Sequence, residues 1–436
     1  MDLNKVNTDY DFENFKKLSE INTDKMIKSG TFAIEPGPRC PVALVNNILC
    51  EIEDAHMLVV GTAECTYYNK NNSINMKISS SNNTTWSYCL DSKEVIFGCK
   101  NGVTKALEEI DKTGAKVLFL VSTCVPETIG EDFEGIVREA NKHLNTKVIY
   151  IDGAHFRCYG AIPAKEAVLY SLHEFMEKKA IKEKTINLIG EDANFIRKSE
   201  LITLLEKHDV KINCVIPYGL TLEDIRKAPA AALSIITDTA ALPLAEKMNE
   251  SFGTPFVFFP HLFDLEEIKE AYYKIQNYLG IDYTLEIEAL YAKAKERIEI
   301  SMEKLRGKSF ASGYLQINPF ICSSFLSSLG MKAKYIETEY YFPKDKYWAD
   351  RILEHGSDPY IGRIFNHTAS KEVLEAIHID YLLLGTIRLN ITADIAIATC
   401  NEASFKLGFE QPLLLIEELA LASKNSAKGD KKHGTL

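Results

Sequence analysis

Short apolar runs alternate with amphipathic stretches along almost the whole chain. That is the pattern of repeated β–α units, since strands buried on both faces of a parallel sheet read as continuous apolar runs. In the first block it predicts strands over Met57–Gly61, Val95–Gly98, Lys116–Ser122 and Lys147–Ile151. Helices are predicted over Val42–Asp54, Gly102–Lys112, Phe133–His143 and Ala164–Lys178. The Asn- and Ser-rich stretch from Tyr67 to Trp86 reads as a surface excursion.

The charged stretch Lys178–Lys184 marks a boundary, and a second series follows it. Its predicted strands are Ile186–Ile189, Lys211–Ile216, Ala232–Ile236 and Pro255–Phe259, with helices over Lys198–His208, Leu222–Lys227 and Ala241–Ser251. Tyr283–Arg306 reads as one long connector helix packed on one side. A third series runs from Lys308 to Leu415, and the polar, basic end from Ser423 reads as a disordered tail. The predicted division is 1–180, 181–305, 306–422 and the tail 423–436. In open parallel sheets of this kind, ligands bind beyond the carboxyl ends of the strands.

Composition changes this picture only at the edges. A length of 436 residues is too great for one ordinary core, which agrees with two or three domains. The formal net charge of −11 argues against nucleic acid as the main partner, because phosphate backbones demand a basic face. The first 28 residues lack an apolar signal region, and no stretch approaches the roughly 20 apolar residues of a membrane helix. A cytoplasmic protein with reduced cysteines is the expectation.

Chemistry concentrates in the cysteines. Cys40 precedes Pro41, which suits the first position of a helix and leaves Cys40 as its cap. A thiolate there faces helix N–H groups and the positive end of the dipole, which predicts a depressed pKa. Cys65 lies in the turn region after the Met57–Gly61 strand, and Cys124 directly follows Lys116–Ser122, so both fall on the ligand-binding edge. Cys50 reads as core, and Cys89, Cys214, Cys322 and Cys400 default to core as well. There is no C-x-x-C or ferredoxin spacing, so spacing alone leaves zinc, an iron–sulfur cluster and a catalytic thiol all open.

Longer phrases carry more. Cys40-Pro41-Val42-Ala43 and the run from Ile52 to Cys65 look most like the N subunit of dark-operative protochlorophyllide reductase. Ser122-Thr123-Cys124, continuing through Glu127, Ile129, Gly130 and Asp132, is similar to the cysteine motif of the nitrogenase component 1 superfamily. Glu94 to Cys99 resembles its "VFGG" element, with Cys99 in place of the second glycine. Ala154-His155-Phe156-Arg157-Cys158 is similar to its "GFRG" loop, and Gly253-Thr254-Pro255-Phe256 matches its second domain. The resemblance covers residues 35 to 310 in its motifs and the third block in architecture.

This resemblance implies an α/β subunit of three Rossmann-like domains with parallel sheets around a central cleft. It implies that Cys40, Cys65 and Cys124 hold an iron–sulfur cluster, either a 4Fe-4S cluster completed by a partner side chain or a P-cluster-like form. It further implies a homodimer, or a heterodimer with a sister component 1 subunit, and a transient ATP-hydrolysing iron–sulfur reductase as electron donor. The chain has no G-x-x-x-x-G-K-[ST] of its own, which fits a recipient.

The family's cofactor-holding cysteine and histidine fall near Thr237 and Glu417, and a hydroxyl is a poor iron–sulfur ligand, so dinitrogen reduction is not expected. His155 and Cys158 are candidates for an extra cluster ligand, with backbone bonding or packing as their alternatives. Packing is the reading for Cys99. His261 and Arg388 are candidate catalytic groups, and Arg363 and His367 are candidates to face the same cleft, Arg being suited to a carboxylate substrate. The leading expectation is a reductase subunit relaying low-potential electrons to a small molecule such as a tetrapyrrole. The alternative is a non-catalytic scaffold for assembling a complex nitrogenase-type cofactor.

Overall fold

The computed structural model describes residues 15–28, 40–67, 83–154, 156, 162–178, 182–190, 196, 198–260, 262–313, 318–338, 340–363, 367–384, 395–400, 403 and 406–422. Two short strands come first, β1 (Lys16–Lys17) and β2 (Ile52–Glu53), with helix α1 (Pro41–Leu49) between them. The first sheet is built from β3 (Ala55–Gly61), β4 (Thr85–Cys89), β5 (Val117–Ser122) and β6 (Lys147–Ile151). All four run parallel in the order β4-β3-β5-β6. Every residue of β5 is buried, as a central strand covered on both faces requires. Each of its Val, Leu and Phe side chains contributes about 1.5–3 kcal/mol by leaving water.

Helices α2 (Glu94–Phe97), α3 (Lys100–Asp111), α4 (Cys124–Thr128), α5 (Phe133–Ala140) and α6 (Ile162–Ser171) complete this unit. α3 and α5 cover one face through Val103, Leu107, Phe133 and Ile136, and α1 and α6 cover the other. One expected strand is not there. Val95–Gly98 lies in and after the short helix α2, and the fourth strand is β4, inside and beyond the stretch read as a surface excursion. Asp91 explains the change: its Oδ1 accepts from the backbone N–H of Lys93 (2.7 Å) and Glu94 (2.8 Å), and its own N–H donates to Glu94 Oε2 (3.0 Å). That reciprocal cap starts a helix where apolar content suggested a strand.

The second sheet consists of β7 (Glu183–Ile189), β8 (Lys211–Ile216), β10 (Ala231–Ile236) and β11 (Phe256–Phe258), parallel in the order β11-β10-β7-β8. The short strand β9 (Leu220–Thr221) instead pairs with β2, tying this unit to the first. Helices α7 (Glu200–Lys207), α8 (Leu222–Lys227), α9 (Leu242–Phe252), α10 (Leu265–Leu279) and α11 (Thr284–Met302) follow in turn. One continuous apolar core joins Val42, Val121 and Val168 of the first unit to Ile216, Ile236 and Met248 of the second.

The third sheet takes the order β1-β14-β13-β12-β15-β16, from β12 (Ser309–Ser312), β13 (Lys332–Glu337), β14 (Tyr360–Gly362), β15 (Tyr381–Leu383) and β16 (Ala396–Ala398). Among the described residues only the pairing of β1 with β14 is antiparallel. Helices α12 (Pro319–Ser328), α13 (Asp345–Glu354), α14 (His367–Ala376) and α15 (Glu410–Leu421) accompany it. The arm carrying β1 docks here, with Leu18, Ile21 and Ile27 in one core with Phe310, Phe325 and Ile361. The fold is therefore α/β, as the apolar pattern predicted, with two parallel four-stranded sheets and a third that is parallel but for its arm strand.

Candidate functional site at the rim of the first sheet

Cys40, Cys65 and Cys124 come together beyond the carboxyl ends of the first sheet. β3 ends at Gly61 and passes into a helical turn, 63–67, that carries Cys65. β5 ends at Ser122, Thr123 caps α4, and Cys124 is the first residue of that helix. Cys40 caps α1, with Pro41 as its first residue.

Two glycines let these segments touch. A Cβ on Gly61 would lie 2.1 Å from Thr123 Oγ1, so the Cys65 and Cys124 segments meet there. A Cβ on Gly153, after β6, would lie 2.4 Å from the Ser122 carbonyl and 2.9 Å from Val42 Cγ2, which wedges Gly153 between the Cys124 and Cys40 segments. Below them Tyr150 donates a short hydrogen bond to Glu127 Oε1 and lies 3.3 Å from Ser122 Oγ, which anchors α4 to β5 and β6.

Electrostatics show the same convergence. Burial pushes the Cys40 thiol up, the backbone N–H groups of Val42 and Ala43 pull it down, and charge on Cys65 and Cys124 pushes it up again. The depressed pKa expected at a helix cap is thus overturned, because desolvation outweighs the two N–H groups. Three thiols gathered in a partly dry site suit a positively charged group, which would favour their thiolate forms. Among the described residues, no three His, Cys, Asp or Glu side chains are close enough to hold one metal ion. The three thiols share a neighbourhood without meeting at a point, and Thr123 contributes a buried hydroxyl with no protein partner beside them. That donor set fits a multi-iron cluster better than a single ion.

Several exposed apolar side chains stand on the segments at this end of the sheet. Ile96 and Phe97 of α2 are 72% and 84% exposed, Ile129 at the end of α4 is 37% exposed, and Tyr67 closes the Cys65 turn, also exposed. Glu131 Oε2 accepts the Cys99 backbone N–H in a short bond, which holds the end of α2 against the end of α4. Cys99 itself caps α3 and is buried, as packing predicted; burial and then Glu131 push its thiol up.

Several other candidates sit elsewhere. Cys214, Cys322 and Cys400 are core residues, and the Cys50 thiol donates to Asn46 Oδ1 at 3.7 Å. Cys89, expected in the core, is exposed. Arg363 is buried and paired with Asp24 of the arm, which also accepts the Tyr341 N–H at 2.8 Å. His367 opens α14. Thr237 directly follows β10 at the point where the strand order reverses, and its hydroxyl donates to the Ile189 carbonyl at 3.1 Å. Beside it Asp238 forms a short ion pair with Lys165 of α6. Glu417 pairs with Arg297 of α11 at 2.5 Å. His155, Cys158, His261 and Arg388 lie outside the described residues, as does the tail 423–436.

Comparison with known proteins follows this geometry. The nitrogenase iron-molybdenum cofactor biosynthesis protein NifE of Clostridium pasteurianum is 27% identical over 280 residues, 61% of this chain and 60% of that protein. The chain thus matches about three-fifths of that relative's length. The NifE of Rippkaea orientalis is 24% identical over 377 residues, 82% of this chain and 78% of that protein. The nitrogenase molybdenum-iron protein alpha chain of Methanosarcina barkeri is 25% identical over 331 residues, 72% of this chain and 62% of that protein. A solved structure of nitrogenase Cp1 at pH 6.5 superposes on 90% of the chain and 93% of its own, with a TM-score of 0.68 at 17% identity, a likeness of fold. The family model for nitrogenase component 1 type oxidoreductases matches residues 40–400. With most of its length under that model, this chain belongs to the nitrogenase component 1 type oxidoreductase family.

Proposed function

We propose that the chain is a scaffold on which a nitrogenase-type iron–sulfur cofactor is assembled and then passed on. The observation that carries the proposal is a division between two sites. The rim thiols Cys40, Cys65 and Cys124 remain gathered, whereas the position where the family places a cofactor-holding cysteine is Thr237, with its hydroxyl committed to the Ile189 carbonyl. A carrier has to release its cargo, and a position without a thiolate suits transient holding. The names of the relatives favour this reading over the reductase subunit expected at first, since several are cofactor biosynthesis proteins.

In this reading Cys40, Cys65 and Cys124 hold a resident cluster, which would supply one-electron transfer at low potential. The Val42 and Ala43 N–H groups stabilise the bound Cys40 thiolate. Gly61 and Gly153 keep the three segments in contact, and the Tyr150–Glu127 bond holds α4 in place. The apolar rim formed by Ile96, Phe97 and Ile129 is where a second subunit, identical or sister, would cover the site and keep water out.

The test starts with chain purified anaerobically and loaded with a cofactor precursor. Transfer of that precursor to an apo-nitrogenase, recovering its activity, supports the scaffold. Steady substrate turnover by the chain with an iron–sulfur reductase, ATP and dithionite, without any transfer, would return the reading to a catalytic subunit.

A further inference from the structure

We propose that Cys89 is a fourth thiolate of the rim site, supplied by this same chain. The proposal rests on reading Cys40, Cys65 and Cys124 as iron–sulfur ligands. The strand register places Cys89, the last residue of β4, directly beside Gly61, the last residue of β3. The ladder continues one step further, because the Leu90 N–H donates to the Gly61 carbonyl at 2.9 Å. Three neighbouring strands, β4, β3 and β5, therefore deliver Cys89, Cys65 and Cys124 to one edge in that spatial order.

The contact with the Cys65 turn is direct. Cys89 Sγ lies 3.3 Å from Oγ1 of Thr66, the residue after Cys65. The Thr66 hydroxyl already donates its only proton to the Ala63 carbonyl at 3.0 Å, so the Cys89 S–H is the donor.

A second feature points to the same place. Thr123 is buried, its Oγ1 has no protein partner, and it sits over Gly61, the register neighbour of Cys89. A buried hydroxyl without an acceptor is costly, and sulfur bound at this rim would be its acceptor. Among the described residues Cys89 is also the one exposed cysteine, on the edge strand, where iron from solution can reach it. Cys89 would close the coordination of a cluster held within one chain and leave the apolar rim to exclude water.

Thiol footprinting on the full chain under anaerobic conditions tests this. The chain is reconstituted with ferrous iron and sulfide, labelled with iodoacetamide, and compared with chelator-treated protein by mass spectrometry. Iron-bound thiolates are not free nucleophiles, so Cys89 labelling should fall about tenfold on loading, in step with Cys40, Cys65 and Cys124. Cys89→Ser keeps the shape of this exposed position; it should shift the EPR signal and speed iron loss to a chelator about tenfold. Protection of the three other cysteines, with Cys89 labelled equally in both states and an unchanged EPR signal in Cys89→Ser, overturns the proposal alone. Equal labelling of all four with and without iron overturns the iron–sulfur reading as well.

Discussion

Glu200→Gln tests how the second and third units hold together. Glu200 opens α7, and its Oε1 accepts from the Tyr272 hydroxyl (3.0 Å) and from the Phe409 backbone N–H (2.6 Å), which leads into α15. The Glu200 N–H donates to Glu410 Oε2 at 3.1 Å, and Lys406, 3.5 Å from Glu410, closes the group. Burial pushes the Glu200 carboxyl from its ordinary 4.5 up to about 7. Glu410 adds to this, and the Tyr272 and Phe409 donors pull against it. Because the folded value is raised, the native state binds the proton more tightly than the unfolded chain does. The associated stability is full below 4.5 and is lost as pH rises through about 7.

At about 1.4 kcal/mol per pH unit the loss is about 3 kcal/mol. Glutamine keeps an oxygen for both donors and carries no charge, so the variant escapes this loss. The two proteins should unfold alike at pH 4.5 and diverge above it, with the variant ahead by up to about 3 kcal/mol at pH 8. Urea midpoints read across that range supply the comparison. A difference that stays constant with pH, or a variant weaker than its parent at pH 8, would refute the reasoning.

Three smaller perturbations bear on the rim. Gly153→Ala drives a Cβ against the Ser122 carbonyl, a backbone atom that cannot step aside, and should cost about 1–3 kcal/mol together with iron content, read by unfolding and metal analysis. Asp132→Ala removes the bond from the Gly135 N–H (2.8 Å) that caps α5, and a loss of about 1 kcal/mol in a urea titration is expected with iron content intact. Phe97→Ser should leave stability within about 0.5 kcal/mol yet weaken subunit association in sedimentation; unchanged association would remove Phe97 from the interface.

Much of the architecture was legible because most strands of the parallel sheets carry unbroken apolar runs. The runs Val117–Ser122 and Lys147–Ile151 could hardly be anything else, and helix α8 begins with a full capping box at Thr221 and Asp224. β4 was missed for the opposite reason. Unlike β6, an edge strand of the same sheet that is mostly buried, Thr85–Cys89 is half-exposed or exposed at every residue, so no apolar run marks it. Cap chemistry at Asp91 and Glu94 was the available signal for α2, and apolar content at Val95 and Ile96 masked it.

Positions at strand ends and a helix cap drew notice to Cys40, Cys65 and Cys124, and the resemblance of the surrounding phrases to the family singled them out. Cys89 was not legible, since its meaning depends on register with Gly61, a relation between strands rather than along the chain. Arg363 was misplaced for a similar reason. Nothing near it predicts that Asp24, 339 positions earlier, returns on an arm to neutralise it.

The central claim, that Cys40, Cys65 and Cys124 form an iron–sulfur site, is tested most directly by iron and acid-labile sulfide quantification with EPR. The measurement uses anaerobically purified protein beside a Cys40→Ala, Cys65→Ala, Cys124→Ala variant. Iron and sulfide in matching amounts, about four of each per chain for a complete 4Fe-4S cluster or per pair of chains for a bridging one, with a signal abolished in the variant, is the predicted result. A parent protein without iron, or a variant that keeps both its iron and its signal, would contradict it.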